Sequence, residues 1–402
     1  MSPNKSLVQE DWAVVWLGFL IIFFSLFVFV VPAPSMGWKD SSELFSKVLS
    51  AGNLGRILMQ FIVVFGVGIL AMVLTKKPLK SFLIVFPIIF AGAIIAMMIT
   101  GNGFIKETGL EAVIFSLSIG LIIGNAFRLP EWFRSILSAE LFVKIGLVLL
   151  GTGVIFGDVL KAGGLGLIQA LVVVISVWYF AFWVCKKFKL DQELSMMISS
   201  AVSICGVSAA IATAGAIKGD PKKLSYVISM VLITAIPMML LMPLIARSFG
   251  WSQEVTGAWL GGTIDTTGAV VASGTLVGDV ALNISTIAKF SQNVLLGLAA
   301  FAISVYWTYT KGGDKEVEKP TLKLIWDRFP KFVLGFVAAS LLFSFIVHPE
   351  VVAQVKDSLK SIQTLWFVMA FTSIGLETRF ADLFAAQGQK PLYAFLIAQG
   401  FN

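Results

Sequence analysis

The chain has 402 residues, 57% hydrophobic and only 13% charged, with a mean hydropathy of +0.91 and a formal net charge of +7. Uncharged runs such as Trp12 to Val31, Phe82 to Thr100, Gly163 to Cys185 and Phe290 to Thr310 repeatedly supply the ~20 apolar residues that a spanning helix needs, which excludes an ordinary soluble protein and predicts a polytopic, all-α membrane protein. The positive charge sits in short loops without the length or aromatic interleaving of a nucleic-acid surface, so the bilayer, and no nucleic acid, is the expected partner.

The first run is preceded by Glu10 and Asp11 and followed by Pro32-Ala33-Pro34. It lacks a small-x-small cleavage site and is expected to stay as the first helix. Further crossings are predicted near residues 57–74, 82–100, 111–126, 140–158 and 163–185. The densest basic loops are Lys76-Lys77-Lys80, Arg128/Arg134, Lys186-Lys187-Lys189 and Lys311 to Arg328. The positive-inside rule places them, and the amino terminus, in the cytoplasm. Two cysteines, Cys185 and Cys205, both in apolar segments, give no disulfide framework.

The stretch Ser203 to Ala214, SICGVSAAIATA, recurs as Thr263 to Gly274, TIDTTGAVVASG. Identities fall in register at Ile204/Ile264, Ala209/Ala269 and Ala212/Ala272. The first copy lies in Leu194 to Ile217, which ends in the basic loop Lys218 to Lys223. A re-entrant or broken segment resolves that charge conflict and makes the two copies inverted. Ordinary crossing helices would make them parallel and put one basic loop on the wrong side. A second similarity, Gly151-x4-Phe156-x-Asp158-x3-Ala162 with Gly375-x4-Phe380-x-Asp382-x3-Ala386, supports inversion independently. Inverted repeats bracket midplane sites in secondary transporters, where interrupted helices turn free N–H groups toward an anion. In that reading Gly206, Gly268 and Gly274 permit the breaks, while Ser203, Ser208, Thr263, Thr266 and Thr267 satisfy freed backbone or bind solute. Close helix packing is the alternative for any single small residue, as in Gly120-x3-Gly124.

Embedded charge is harder to assign to packing. Asp265 has apolar sequence on both sides, and an ionisable group at midplane costs roughly 2.5–3.5 kcal/mol. Lys289, read as five residues into the next crossing helix, is placed to neutralise Asp265 or attract an anion. Lys144 has Glu140 four residues before it and a local pair satisfies both. Glu377 and Arg379 follow an apolar helix directly. Asp265, Lys144 and Glu377 are thus the candidates for ion coupling or gating.

These residues resemble a known family. The pattern Ser203-Ile204-Cys205-Gly206-x-Ser208-Ala209, then Gly261-Gly262-Thr263-Ile264, then Gly375-Leu376-x-Thr378-Arg379-Phe380, is similar to the sulfate exporter family of bacterial inner-membrane proteins, over most of the chain from about Phe115 onward. The resemblance implies the superfamily of cation–proton antiporters and bile-acid symporters, with a panel domain, a core domain and interrupted helices crossing at the site, and homodimerisation through the amino-terminal helices. The chain departs from that pattern at Asp265, where the family commonly has a histidine. A proton-carrying imidazole is lost there, and a fixed carboxylate disfavours a sulfate-like anion or favours a coupling cation beside it.

An intramembrane enzyme lacks parts. The chain has no His-Glu-x-x-His, no Gly-x-Ser-x-Gly, no Gly-x-Gly-Asp and no histidine cluster, so neither metal nor cofactor is expected and Cys205 lacks a nearby base. The expected activity is secondary transport of a small anion by alternating access. Ser203, Cys205, Gly206, Ser208, Thr263, Asp265, Thr266, Thr267, Gly268 and Lys289 line the expected site. A Na+- or H+-coupled cation antiporter and a passive channel are the alternatives. Residues 1–135 read as scaffold helices, 136–310 as a core with interrupted segments at 194–217 and 256–278, 311–329 as a cytoplasmic linker, and 330–402 as helices of the second repeat. Only eleven residues follow Pro391, too few to complete a crossing, so the carboxyl terminus is expected to be truncated and the last helix missing.

Overall fold

The computed structural model describes residues 8–107, 111–311, 323–378 and 389–402. Arg379, the Phe380/Asp382/Ala386 half of the second internal similarity and most of the 311–329 linker lie outside them. The described chain is nearly all helical, and eight of its helices are long and apolar enough to cross a membrane. It divides into two compact units, Met1–Val159 with Lys331–Arg379, and Leu160–Pro330 with Phe380–Asn402.

The first unit contains α1 (Glu10–Phe27), α2 (Ala51–Thr75), α3 (Leu79–Thr100), α4 (Ala112–Ala126) and α5 (Ala139–Leu150). Phe82, Phe86, Phe142 and Trp366 are buried together at its centre. Gly120 and Gly124 behave as close-packing residues: a Cβ on Gly120 would lie 2.2 Å from the Thr372 carbonyl, and one on Gly124 2.9 Å from that of Leu376. The run expected to cross at 140–158 instead ends at Gly153, and α6 (Phe156–Lys187) starts early. The physical reason is a pinned corner. Ser340 Oγ donates to the Val154 carbonyl at 2.6 Å, and the Phe156 N–H donates to Ser344 Oγ at 3.0 Å. Both serines belong to the helix Lys331–Ile346.

The second unit takes most of α6, then α7 (Gln192–Ser200), α8 (Val207–Ile217), α9 (Pro221–Ser248), α10 (Gln253–Thr263), α11 (Thr267–Val277) and α12 (Asp279–Lys311). After α13 (Lys331–Leu341) and α14 (Pro349–Glu377) of the first unit, α15 (Gln389–Phe401) returns to the second. Starts are encoded locally: Asp191 accepts the Leu194 N–H at 3.1 Å, and Asp220 caps α9 ahead of Pro221. Partial burial works against ionisation of Asp191, but the Lys223 ammonium at 2.8 Å and the Leu194 N–H together hold its carboxyl below the ordinary range. Asp191→Ala removes the cap of α7 and this pair, and is expected to cost about 1 kcal/mol, read as a lower melting temperature.

α15 is a core element. Its Ala394, Phe395 and Ala398 are fully buried in one cluster with Ala181 of α6, Met197 and Ile198 of α7, and Val227 and Val231 of α9.

Candidate functional site

Both repeated segments are broken helices. In the first, α7 runs into a π-helical turn, Ala201–Cys205, and stops at Gly206, whose φ of 61° and ψ of −115° depart from the helix. Such a backbone favours glycine. Space demands it as well, because a Cβ there would lie 2.7 Å from Val231 Cγ1 and 3.2 Å from Asp265 Cβ. In the second segment α10 ends at Thr263 and Ile264 turns out with ψ 130°. Thr266 then caps α11, its hydroxyl accepting the Ala269 N–H at 3.3 Å. The two interruptions pack against each other, with Gly206 of one against Asp265 and Thr266 of the other.

Breaking a helix leaves carbonyls without partners at its carboxyl end. Here side-chain donors answer them. Lys289 Nζ donates to the Ile204 carbonyl at 2.9 Å and to Gln292 Oε1 at 2.7 Å. Gln292 Nε2 donates to the Gly262 carbonyl at 2.7 Å, and Gln399 Nε2 to that of Thr263 at 3.1 Å. Asn402 Nδ2 reaches both segments, at 3.0 Å from the Val202 carbonyl and 3.1 Å from that of Thr263. An ammonium and three amides thus stand at the negative ends of the half-helices, where the macrodipole favours them.

Asp265 has no such partner. It is 1% exposed, and neither carboxylate oxygen has a donor in good hydrogen-bond geometry, the Gln399 side chain being the amide that lies beside it. Lys289, also 1% exposed, is the cation whose charge acts on it, yet the two make no ion pair within 4.0 Å. The buried Ser203 Oγ, Asn293 Oδ1, Gln399 Oε1 and Asn402 Oδ1 are likewise unpartnered.

The expected site residues fall as follows. Ser203 and Cys205 are buried in the π-helical turn, Ser208 opens α8, Thr263 closes α10, and Thr267 and Gly268 open α11. Asn293 Nδ2 donates to Thr267 Oγ1 at 3.2 Å. Gly206 alone of the three glycines sits at a break. Gly274 lies inside α11 and packs on α12, where a Cβ would meet Ser285 Oγ at 2.6 Å. Lys289 is ten residues into its helix rather than five, because α12 extends back through Asn283 to Asp279. Lys144 belongs to the first unit and takes Asp11 as its main partner at 2.8 Å, with Glu140 at 3.8 Å and Glu10 at 3.9 Å. Glu377, in the same unit, ends α14 and accepts the Ala139 N–H at 3.4 Å. Sequence reading missed Gln292, Asn293, Gln399 and Asn402. Their one signal was an amide inside an apolar run.

The family model described as conserved hypothetical protein 698 matches residues 83–395. The chain belongs to that family. The matched region contains both interruptions and Lys289, while Gln399 and Asn402 lie beyond it. Among its relatives, a UPF0324 membrane protein of Rhodopirellula baltica is 39% identical over 313 residues, covering 76% of this chain and 58% of the relative. One from Nitratidesulfovibrio vulgaris is 38% identical over 310 residues, covering 74% and 53%. The chain therefore spans little more than half the length of these two. A third, from Nitrosomonas europaea, is 27% identical with 96% and 92% covered. No solved structure matches. Membrane-protein relatives and eight apolar helices of spanning length agree that the chain is a multi-pass membrane protein.

Proposed function

We propose that this protein is a secondary active transporter of a small anion, working by alternating access, and not an enzyme. The observation that carries the reading is the contact between two helix interruptions around a buried, unpartnered Asp265, with buried Lys289 donating into one of them. Ionisable groups at membrane depth are costly and mark solute or ion pathways. Paired broken helices are the arrangement by which transporters expose backbone dipoles to a solute. The inverted repeat and a panel-and-core organisation of the sulfate-exporter type belong to the same proposal, as do an inner-membrane location with a cytoplasmic amino terminus and a homodimer.

The amino-terminal ends of α8 and α11, brought to the crossing by the two breaks, supply the positive dipole ends that an anion needs. A Na+- or H+-coupled cation antiporter is the second reading, favoured by the acceptor oxygens around Asp265. The test is a thermal-shift panel of the purified chain against sulfate, sulfite, thiosulfate and small carboxylates, because a ligand that binds only the folded state raises its stability by about 2.7 kcal/mol at a hundred times its Kd. Stabilisation by one anion class, diminished in Lys289→Met, is the expected outcome. Equal melting with every anion, together with a response to cations or pH alone, would move the reading to the antiporter.

A further inference from the structure

We infer that a groove on the outward face of α2, in the first unit, binds one anionic glycerophospholipid, with an acyl chain in the groove and the phosphate on Arg56. The groove encloses about 450 Å3 and is lined by Phe29, from the non-helical stretch 29–37, and by Gly55, Leu58, Met59, Ile62 and Val63 of α2. Cavities of ~300–1,000 Å3 are those that hold small ligands.

The walls are fixed by the chain itself. Asn53, buried at the start of α2, accepts the Ser35 N–H at 2.7 Å and donates to the carbonyls of Ser35 at 2.9 Å and Val48 at 2.8 Å, so the stretch that carries Phe29 is tied to the helix. Gln60 Nε2 donates to Ser361 Oγ of α14 at 2.8 Å. The side of α2 with Asn53, Ile57, Gln60 and Val64 is therefore buried, while Gly55, Leu58, Met59 and Ile62 are exposed.

Two features of that exposed face call for a molecule outside the chain. A Cβ on Gly52 or Gly55 would meet nothing within 4 Å. Glycine weakens a helix relative to alanine, and no neighbour within the described chain requires its size here. Arg56 is exposed and makes no ion pair or hydrogen bond with a described residue. Around the helix it falls about 40° from Gly52 and about 60° from Met59, hence over the same face. It lies roughly 7 Å below the start of α2, a depth from which a long side chain reaches the headgroup level.

Charge and shape select the occupant. The guanidinium donates two parallel N–H bonds to phosphate oxygens, and a choline headgroup brings a cation of its own that an anionic lipid lacks. A second copy of this chain would also suit open glycines. A two-fold axis through this face, along the bilayer normal, would however set Arg56 against Arg56, and like charges at that boundary oppose the pairing. A phospholipid supplies apolar length and opposite charge together.

The test is native mass spectrometry of the purified full chain, delipidated in detergent and titrated with dioleoyl phosphatidylglycerol or dioleoyl phosphatidylcholine. One saturable phosphatidylglycerol site is expected, at least about tenfold tighter than for phosphatidylcholine. Arg56→Gln brings the two lipids within about threefold. Gly55→Leu fills the groove and removes tight binding of both, without lowering the melting temperature of the lipid-free protein. Arg247→Gln, at an exposed arginine of the second unit, keeps the preference. Equal affinity of the wild type for both lipids, or an undiminished preference in Arg56→Gln, would overturn the site. So would a wild-type dimer that Gly55→Leu converts to monomer, because the face would then belong to a second copy. If Gly55→Leu does not fold, Arg56→Gln decides.

Discussion

Asp265→Asn lowers anion flux in proteoliposomes by at least about a hundredfold, equivalent to about 2.7 kcal/mol, while the protein remains folded. Asparagine keeps the shape and removes the charge. Two stability effects oppose each other. Loss of a buried carboxylate with no hydrogen-bond partner is favourable. Loss of the counter-charge to Lys289 is unfavourable. Lys289 keeps its bonds to Ile204 and Gln292, so the balance is small and stability should change by no more than about 1 kcal/mol. Flux near the wild-type rate would remove Asp265 from the mechanism. A collapse in melting temperature would instead assign it a structural role.

Gly206→Ala has the largest expected effect on stability. At φ 61° and ψ −115° a β-carbon is strained, at about 1–3 kcal/mol. The new methyl also enters space held by Val231 and Asp265, with contacts of 2.7 and 3.2 Å, and overpacking of that kind adds about 1–3 kcal/mol. Val231 is fully buried and held by its neighbours, so it cannot swing away. The expected sum is about 2–6 kcal/mol, measured by thermal unfolding in detergent. A companion Val231→Ala substitution makes room for the methyl and is expected to recover the overpacking part but not the backbone part. A melting temperature equal to wild type in Gly206→Ala would mean that the first segment does not break there.

Much of this architecture was legible because the bilayer imposes coarse rules. Spans of about 20 apolar residues announce helices, and a polar, small-residue stretch repeated inside such runs announces an interruption. Each repeated segment does contain a break, and Gly206 was identified beforehand. Asp265 stood out for the same reason: a carboxylate with apolar sequence on both sides needs a cause.

Other features depended on contacts between distant positions. Asn402 meets Val202 and Thr263 across separations of 200 and 139 residues, and no local pattern marks a terminal-helix amide as a cap for two other helices. Lys144 had a plausible partner four residues away in Glu140, but Asp11, 133 residues distant, stands closer. The corner at Val154 and Ile155 was hidden because the apolar pattern runs through it. Only Ser340 and Ser344, supplied from another helix, stop the chain there.

If the paired interruptions carry a small anion through alternating states, counterflow in proteoliposomes will show it. Vesicles containing the full chain are loaded with unlabelled sulfate, sulfite, thiosulfate or a small carboxylate, diluted into the labelled anion, and followed without an imposed potential. The expected result is transient, saturable accumulation of label driven by one internal anion class, dependent on Asp265 and Lys289. Ohmic current without counterflow, or no movement of any anion by protein that still binds cations, would contradict it.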